Sequence, residues 1–97
     1  MVNLIDNLDK AEHVAELVKA MAHPLRLRIL AILNEGDQNV KSLAERLGVS
    51  HSHASVHLRT LRVHGILIAT REGSTVRYTL ARPRLKELIQ YLDGCPD

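Results

Sequence analysis

Hydrophobic residues recur every three or four positions along most of the chain, which is the spacing of one face of a helix. The pattern predicts helices over residues 8–22, 24–34, 38–47 and 49–62. His23 and Pro24 separate the first two, because a proline disfavours helix in the residue before it and fits the first turn of the helix that follows. The second helix is apolar on nearly every side, so we expect it at the centre of the core.

After Gly65 the period changes to two, which predicts strands over residues 66–71 and 75–80 with a turn at residues 72–74. A last amphipathic helix is predicted over residues 83–92. The expected fold class is mainly α with one β-hairpin (α+β), in the order ααααββα. This is the order of a winged helix-turn-helix, whose hairpin is called the wing, and we expect residues 1–97 to form a single domain.

The helix over residues 49–62 differs from the others in the chemistry of its two sides. Ser50 is a favourable N-cap, and Ala54, Leu58 and Leu61 form a narrow apolar stripe that is expected to pack inward. The opposite side carries hydroxyl, imidazole, guanidinium and valine groups: Ser52, His53, Ser55, Val56 and Arg59. These groups suit the base edges and phosphates of the DNA major groove. A helix, a short turn with glycine and a second helix of this kind are typical of a helix-turn-helix.

Charge is distributed unevenly along the chain. The net charge of the 97 residues is only +2, yet residues 46–71 contain four Arg, four His and no acidic residue. An acid-free basic block around the polar helix fits a polyanionic partner. The chain has no Phe, no Trp and two Tyr, which argues against an aromatic platform for single-stranded nucleic acid. Double-stranded DNA is therefore the expected partner.

Other classes of protein find little support in the sequence. No apolar run reaches the length of a membrane span, and the N-terminus lacks the basic start and apolar centre of a signal peptide. The single cysteine excludes an intramolecular disulfide, so we expect a cytoplasmic protein without membrane contact. We find no phosphate-binding glycine loop, no metalloprotease histidine pair and no nucleophile–base–acid set, and we therefore expect no enzyme activity.

Four stretches carry a resemblance to a known family: KAMAHPLRLRIL in the second helix, SLAERLGVS before the polar helix, S-x-S-x-x-S-x-H-L from Ser50 to Leu58, and EGSTVRYTL in the hairpin. With the order of elements, they make nearly the whole chain similar to the ArsR/SmtB-type winged-helix repressors of bacteria, which sense arsenic and zinc. The resemblance implies a homodimer that binds a palindromic duplex operator and is released from it by an inducer.

The resemblance also implies roles for individual residues, and the residue chemistry adds others. Base contacts are expected from five positions of the polar helix: His51, Ser52, His53, Ser55 and Val56. Hydroxyl and basic side chains around them are expected to contact phosphates: Ser50, Lys41, Arg59, Arg62, Arg71 and Arg77. Apolar stripes on the first and last helices are expected to form the dimer interface: Leu8, Ala11, Ala15, Val18, Leu85, Leu88, Ile89 and Leu92. His57 lies near the edge of the core on a helical wheel, so we expect it to support the helix rather than read bases.

The sensing sites of the family are absent or incomplete in this chain. Thiolate sensors carry Cys-x-Cys where this chain has residues 39–41, which include no cysteine. Zinc sensors carry Asp-x-His where this chain has Arg82 and Arg84, which do not bind cations. Sulfur and redox sensors pair two cysteines, and here Cys95 has Ala31 in place of its partner. We therefore expect Cys95 to be a bystander, and the inducer remains unidentified.

Two alternative functions stay open. His53 and His57 are four residues apart on one helix and could chelate a transition metal such as zinc or nickel, but no cysteine or carboxylate lies nearby in sequence to complete a site. We therefore expect no defined metal site or other cofactor. The second alternative is a winged-helix module that binds a protein without reading DNA. Salt-dependent binding to duplex DNA distinguishes a regulator from such a module.

Overall fold

The computed structural model describes residues 3–96. Within this range the elements follow one another as α1 (Leu8–Met21), α2 (Pro24–Glu35), β1 (Gln38–Asn39), α3 (Val40–Leu47), α4 (His51–Val63), β2 (Leu67–Glu72), β3 (Thr75–Leu80) and α5 (Arg84–Asp93). The five predicted helices and the hairpin are all present. The mainly α winged helix-turn-helix architecture is confirmed, with one strand more than the predicted order contained.

The additional strand corrects the predicted start of the third helix. Residues 38–39 were expected to be helical, but they form β1 and pair antiparallel with β3, so the sheet has the order β1-β3-β2. Asn39 is the N-cap of α3, and its Oδ1 accepts a hydrogen bond from Ser42 N at 2.8 Å. An N-cap has extended backbone, which leaves the residues at this point free to pair with the wing.

The wing differs from its prediction by one residue. β2 begins at Leu67 rather than at Ile66, and Glu72 belongs to the strand because it pairs with Thr75. The connection is therefore a two-residue turn, in which Gly73 has a φ of +62°. Glycine is the residue that adopts positive φ without strain at the first central position of such a hairpin turn.

The core lies between α2, α3, α4, the base of the wing and α5. Its largest fully buried side chains come from three helices: Ile29, Leu30, Leu43, Leu58 and Leu61. Ile29 and Leu30 belong to α2, so this helix is central, as its apolar sequence predicted. α5 packs against α2 through Ile89, which is buried.

Helix α1 extends away from this core. Only Ala20 and Met21, at its C-terminal end, are buried. The radius of gyration is 14.3 Å, against about 13 Å for a compact domain of about 100 residues. No helix within residues 3–96 is long and apolar enough to cross a membrane.

Candidate nucleic-acid interface

Helix α4 is held by its sequence so that one side faces outward. Gly48 adopts a left-handed conformation (φ +71°) that ends α3, and Ser50 Oγ accepts a hydrogen bond from His53 N at 3.0 Å to cap α4. Ala54, Leu58 and Leu61 are completely buried, which confirms the predicted inward stripe. Burial of this stripe fixes which residues the helix presents to solvent.

The residues predicted to contact bases lie on the solvent side of α4. His51, Ser52 and His53 are exposed in its first turn, Val56 is 62 % exposed, and Ser55 is half-buried. The helix contains no acidic residue. This surface can donate and accept hydrogen bonds and can contact a thymine methyl group without repelling phosphates.

A cleft of about 340 Å³ joins this helix to α3 and the wing. Its lining includes Lys41 of α3, His51 and Ser55 of α4, and Ser74 and Thr75 of the wing. The fold therefore brings two predicted contact types, a lysine and the first turn of α4, beside the hydroxyls of the wing tip. The sequence interpretation missed Ser74 and Thr75, although two hydroxyl residues directly after the turn glycine are a signal that could have indicated them.

The predicted phosphate-contacting arginines differ in their surroundings. Arg59, Arg62 and Arg71 are exposed. Arg77 forms an ion pair with Glu72 through Nη2, and its Nε lies 4.0 Å from Asp37 Oδ2. The pairing of β1 with β3 brings Asp37 beside Arg77, because Asn39 is the direct partner of Arg77. The guanidinium of Arg77 thus has two carboxylates as neighbours within its own chain.

Behind the outer surface of α4, His57 is 7 % exposed, which confirms its expected place at the core. Its Nδ1 accepts a hydrogen bond from Arg26 Nε at 3.1 Å, a contact that the sequence interpretation did not foresee. Burial lowers the pKa of His57 below its ordinary value of 6.5, and His23, Arg26 and His53 lower it further. A guanidinium bonded to the ring also disfavours a bound cation. Within residues 3–96, no three His, Cys, Asp or Glu side chains form a group that could hold a metal ion.

Two further side chains, those of His64 and Cys95, make local contacts near the ends of α4 and α5. His64 Nδ1 lies 2.9 Å from Thr60 O, a local hydrogen bond to the last turn of α4. Cys95 is exposed, and its Sγ lies 3.5 Å from Tyr91 O in the last turn of α5.

The residues expected at a dimer interface divide into two groups. Ile89 is 4 % exposed and Leu85 is packed against the core, so both contact their own chain. The others are exposed or half-exposed on α1 and α5: Leu8, Ala11, Ala15, Val18, Leu88 and Leu92. Three further apolar side chains that the sequence interpretation did not include are also exposed: Leu4, Ile5 and Tyr91. Ile89 is removed from the expected interface because α5 uses it to pack on α2.

Known proteins are similar to this chain in sequence and in fold. Residues 23–69 match the profile described as "Bacterial regulatory protein, arsR family". The chain is 36 % identical over 91 residues to the transcriptional activator HlyU of Vibrio cholerae, covering 94 % of this chain and 84 % of HlyU. It is 33 % identical over 75 residues to a Streptomyces lividans protein named "Probable mercury resistance operon repressor", covering 77 % of this chain and 60 % of that protein.

Solved structures agree with the sequence comparison. HlyU from Vibrio cholerae superimposes with a TM-score of 0.83 at 36 % identity, covering 89 % of this chain and 94 % of HlyU. The homodimeric winged helix-turn-helix DNA-binding domain of a Mycobacterium bovis protein superimposes with a TM-score of 0.81 at 30 % identity, covering 94 % and 87 %. These relatives are regulators of transcription and not enzymes. The chain belongs to the ArsR family of bacterial transcriptional regulators.

Proposed function

We propose that the chain acts as a homodimer that binds a palindromic operator in double-stranded DNA and represses transcription until an inducer releases it. The observation that carries the proposal is the outer side of α4, where exposed hydroxyl, imidazole and valine side chains lie without a carboxylate beside a basic wing. His51, Ser52, His53, Ser55 and Val56 are the proposed base contacts. Such a regulator acts in the cytoplasm, where bacterial DNA lies.

Phosphate contacts are assigned to residues that surround the helix. The proposed set is Ser50, Lys41, Arg59, Arg62 and Arg71, with Arg77 in a lesser role because Glu72 and Asp37 already neutralise it. The cleft between Lys41, His51 and the wing hydroxyls is a further place where a phosphate oxygen would meet several donors.

Dimerisation is proposed through the exposed apolar side chains of α1 and α5. Ile5 is 93 % exposed and Leu8 is 72 % exposed, and Leu88 and Tyr91 continue the apolar surface on α5. Exposed apolar surface of this kind favours association. A two-fold axis through it would place two α4 helices about 34 Å apart, the distance between successive major-groove faces.

The test is selection of duplexes from a random-sequence library, followed by affinity measurements at several salt concentrations. We expect selection to yield an inverted repeat and the logarithm of the affinity to fall linearly with the logarithm of the salt concentration. Failure to bind any duplex at low salt would reject the proposal and favour the protein-binding module instead. A reporter gene downstream of the selected site distinguishes repression from activation, since the relatives include an activator and a protein named as a repressor.

A metal ion is one candidate for the inducer. One relative is named for mercury resistance, which favours this class. No three His, Cys, Asp or Glu side chains of the described residues form a site within one chain, so we propose that ligands from a second subunit would complete it. Elemental analysis of the purified protein, with titrations of zinc, nickel and mercury against the DNA complex, tests this. A protein without metal whose complex ignores all three ions would reject the metal class.

A further inference from the structure

One guanidinium connects three helices on the inner side of α4. Arg26 lies in the first turn of α2 and donates from Nε to His57 Nδ1 of α4 at 3.1 Å. It also donates from Nη1 to Ala20 O, in the last turn of α1, at 3.0 Å. The residues of the first pair are 31 positions apart in sequence. Arg26 lies in α2 and therefore links this central helix to α1 and to α4 by two hydrogen bonds.

Two further histidine rings, those of His23 and His53, lie next to the ring of His57. The His57 ring centroid lies 4.4 Å from that of His23, which caps α2 by accepting a hydrogen bond from Leu25 N at 3.0 Å. On the other side it lies 5.3 Å from the ring of His53, in the exposed first turn of α4. An unbroken series of contacts thus runs from the end of α1 to a residue proposed to read bases.

Apolar packing fixes the angle of α4 only within a range, because the crossing angles of packed helices scatter by about 15–20°. Contacts of Ala54, Leu58 and Leu61 with the core are non-directional, whereas a hydrogen bond between two planar groups has a preferred distance and angle. His57 is buried and Arg26 is half-buried, so neither is in a position to bind DNA in place of the outer residues.

We propose that Arg26 and His57 are positioning residues for DNA recognition: while His57 is neutral, their hydrogen bond holds α4 at the angle that DNA requires, and protonation of His57 releases it. The proposal rests on the proposed DNA-binding function. It assigns to the inner side of α4 a proton-sensitive control that is separate from any inducer.

The chemistry of the pair determines the direction of the effect. A neutral imidazole that accepts at Nδ1 carries its proton on Nε2, whereas an imidazolium has two donors and no acceptor. A protonated His57 would therefore lose the bond from Arg26 and face a second positive charge at the same place. The DNA-competent arrangement binds this proton less well than the released one, so acid favours release.

The groups nearest to the His57 ring act in the same direction. Burial, His23, Arg26 and His53 all lower the pKa of His57 from 6.5. The cleft in which Arg26 lies is also lined by Glu16 and Lys19 of α1 and by His64 at the end of α4, and Glu16 is the one acidic residue among them. At neutral pH His57 is thus uncharged and the bond is intact. Loss of DNA affinity is expected only as the pH falls below 6.5, and it is complete below the lowered pKa.

The experiment compares DNA affinity from pH 5.5 to 8.0 at fixed salt in wild type, His57→Asn and His64→Asn. The probe is the duplex selected at pH 7.5. Asparagine offers an acceptor oxygen near the place of Nδ1 but does not titrate. His64 is the matched control, a half-buried histidine of the same region whose ring bonds Thr60 O. We expect wild type and His64→Asn to lose more affinity than His57→Asn between pH 7 and pH 5.5, by a factor of about three or more.

The comparison removes the contribution of the exposed histidines. His51 and His53 are exposed and are present in all three proteins, so any effect of pH that acts through them is common to the three profiles. Parallel pH profiles of wild type and His57→Asn, with DNA binding intact, would overturn the inference and leave the proposed function standing. Absence of DNA binding at every pH would instead reject the proposed function.

Two further measurements keep the test independent of how well His57→Asn folds. Nitrogen-15 spectra of the imidazoles in wild type should show DNA moving the titration of His57 to lower pH, and no movement or an upward one would contradict the inference. Arg26→Met should lower the ratio of affinity for the selected duplex to that for calf thymus DNA while keeping the salt slope, since Arg26 does not contact phosphate. A changed slope with an unchanged ratio would show that Arg26 binds DNA directly.

Discussion

Arg71 and Arg77 have the same side chain but different neighbours in the wing. Arg71 is exposed and pairs across the hairpin with Val76, whereas Arg77 is held by Glu72 and Asp37. An arginine that already has two carboxylates gains less from a phosphate, because DNA must compete with them. Exposed ion pairs are weak, so the effect on DNA binding is graded.

We expect Arg71→Ala to reduce the slope of log affinity against log salt by about one, the value for one phosphate contact. Arg77→Ala should reduce it by clearly less. Asp37→Asn is the matched change, and it should raise affinity because it removes one competing carboxylate. Fluorescence anisotropy with the selected duplex at four salt concentrations provides these slopes. Equal slope changes for the two arginines would show that DNA displaces both carboxylates without cost.

Cys95 is the one cysteine of the chain and lies just beyond α5. Oxidation of a single thiol closes no intramolecular bond and so imposes no new arrangement on the helices. We expect Cys95→Ser to keep the operator affinity of wild type with and without peroxide or a persulfide donor. Release of wild type but not of Cys95→Ser from DNA under these oxidants would identify the thiol as a sensor. A bridge between the Cys95 residues of two subunits would appear on a non-reducing gel.

At the scale of elements, the turn between α3 and α4 determines where α4 begins and how it is oriented relative to α3. Gly48 is in the left-handed region, and its N–H bonds Ala44 O and Glu45 O to finish α3. Two residues later Ser50 caps α4. Three residues thus connect the two helices, and a side chain at Gly48 would oppose the required backbone conformation.

Gly48→Ala is expected to destabilise the protein by about 1 kcal/mol, the cost of a left-handed conformation for a residue with a Cβ. Gly36→Ala is the matched control, because Gly36 has extended backbone (φ 168°) and open space where a Cβ would lie. The control should be neutral or stabilising by up to about 1 kcal/mol. Urea unfolding followed by circular dichroism measures both variants. Equal stability of the two alanine variants would contradict the role of the turn.

At the scale of the whole molecule, α1 and α5 leave apolar side chains exposed to solvent. The N-terminal half of α1 has no buried residue, and its apolar side chains are not covered by the rest of the chain. Leu88 and Tyr91 are exposed on α5, while Ile89 turns inward. A second copy that covered these surfaces would complete the core that one chain leaves open.

Leu88→Glu should therefore convert a dimer into a monomer at micromolar concentration and weaken operator binding at the same time, because a charge in an apolar interface is costly. Gln90→Glu adds the same charge to another exposed position of α5 and should leave the dimer intact. Sedimentation velocity measures the oligomeric state of both variants. A wild-type protein that sediments as a monomer would reject the proposed interface.

Features that depend on neighbouring residues could be read from the sequence. The bounds of α1, α2 and α4 were predicted to within about two residues, because hydrophobic spacing and the caps at Ser50 and Gly48 act over one or two helical turns. The inward stripe of α4 and the buried place of His57 followed from the same spacing. The outward side of α4, and with it the family, could therefore be recognised without coordinates.

Features that depend on where distant segments meet were decided only by the tertiary structure. β1 forms because β3 runs beside Gln38 and Asn39. Two residues are too few to show the alternating pattern from which a strand is predicted. The same pairing places Asp37 at Arg77, and the packing of α2 against α4 places Arg26 at His57. A residue's charge and type are local properties, but its partner is set by chain geometry. This is why the sequence indicated the outward side of α4, whereas only the structure revealed the hydrogen bond between Arg26 and His57 behind it.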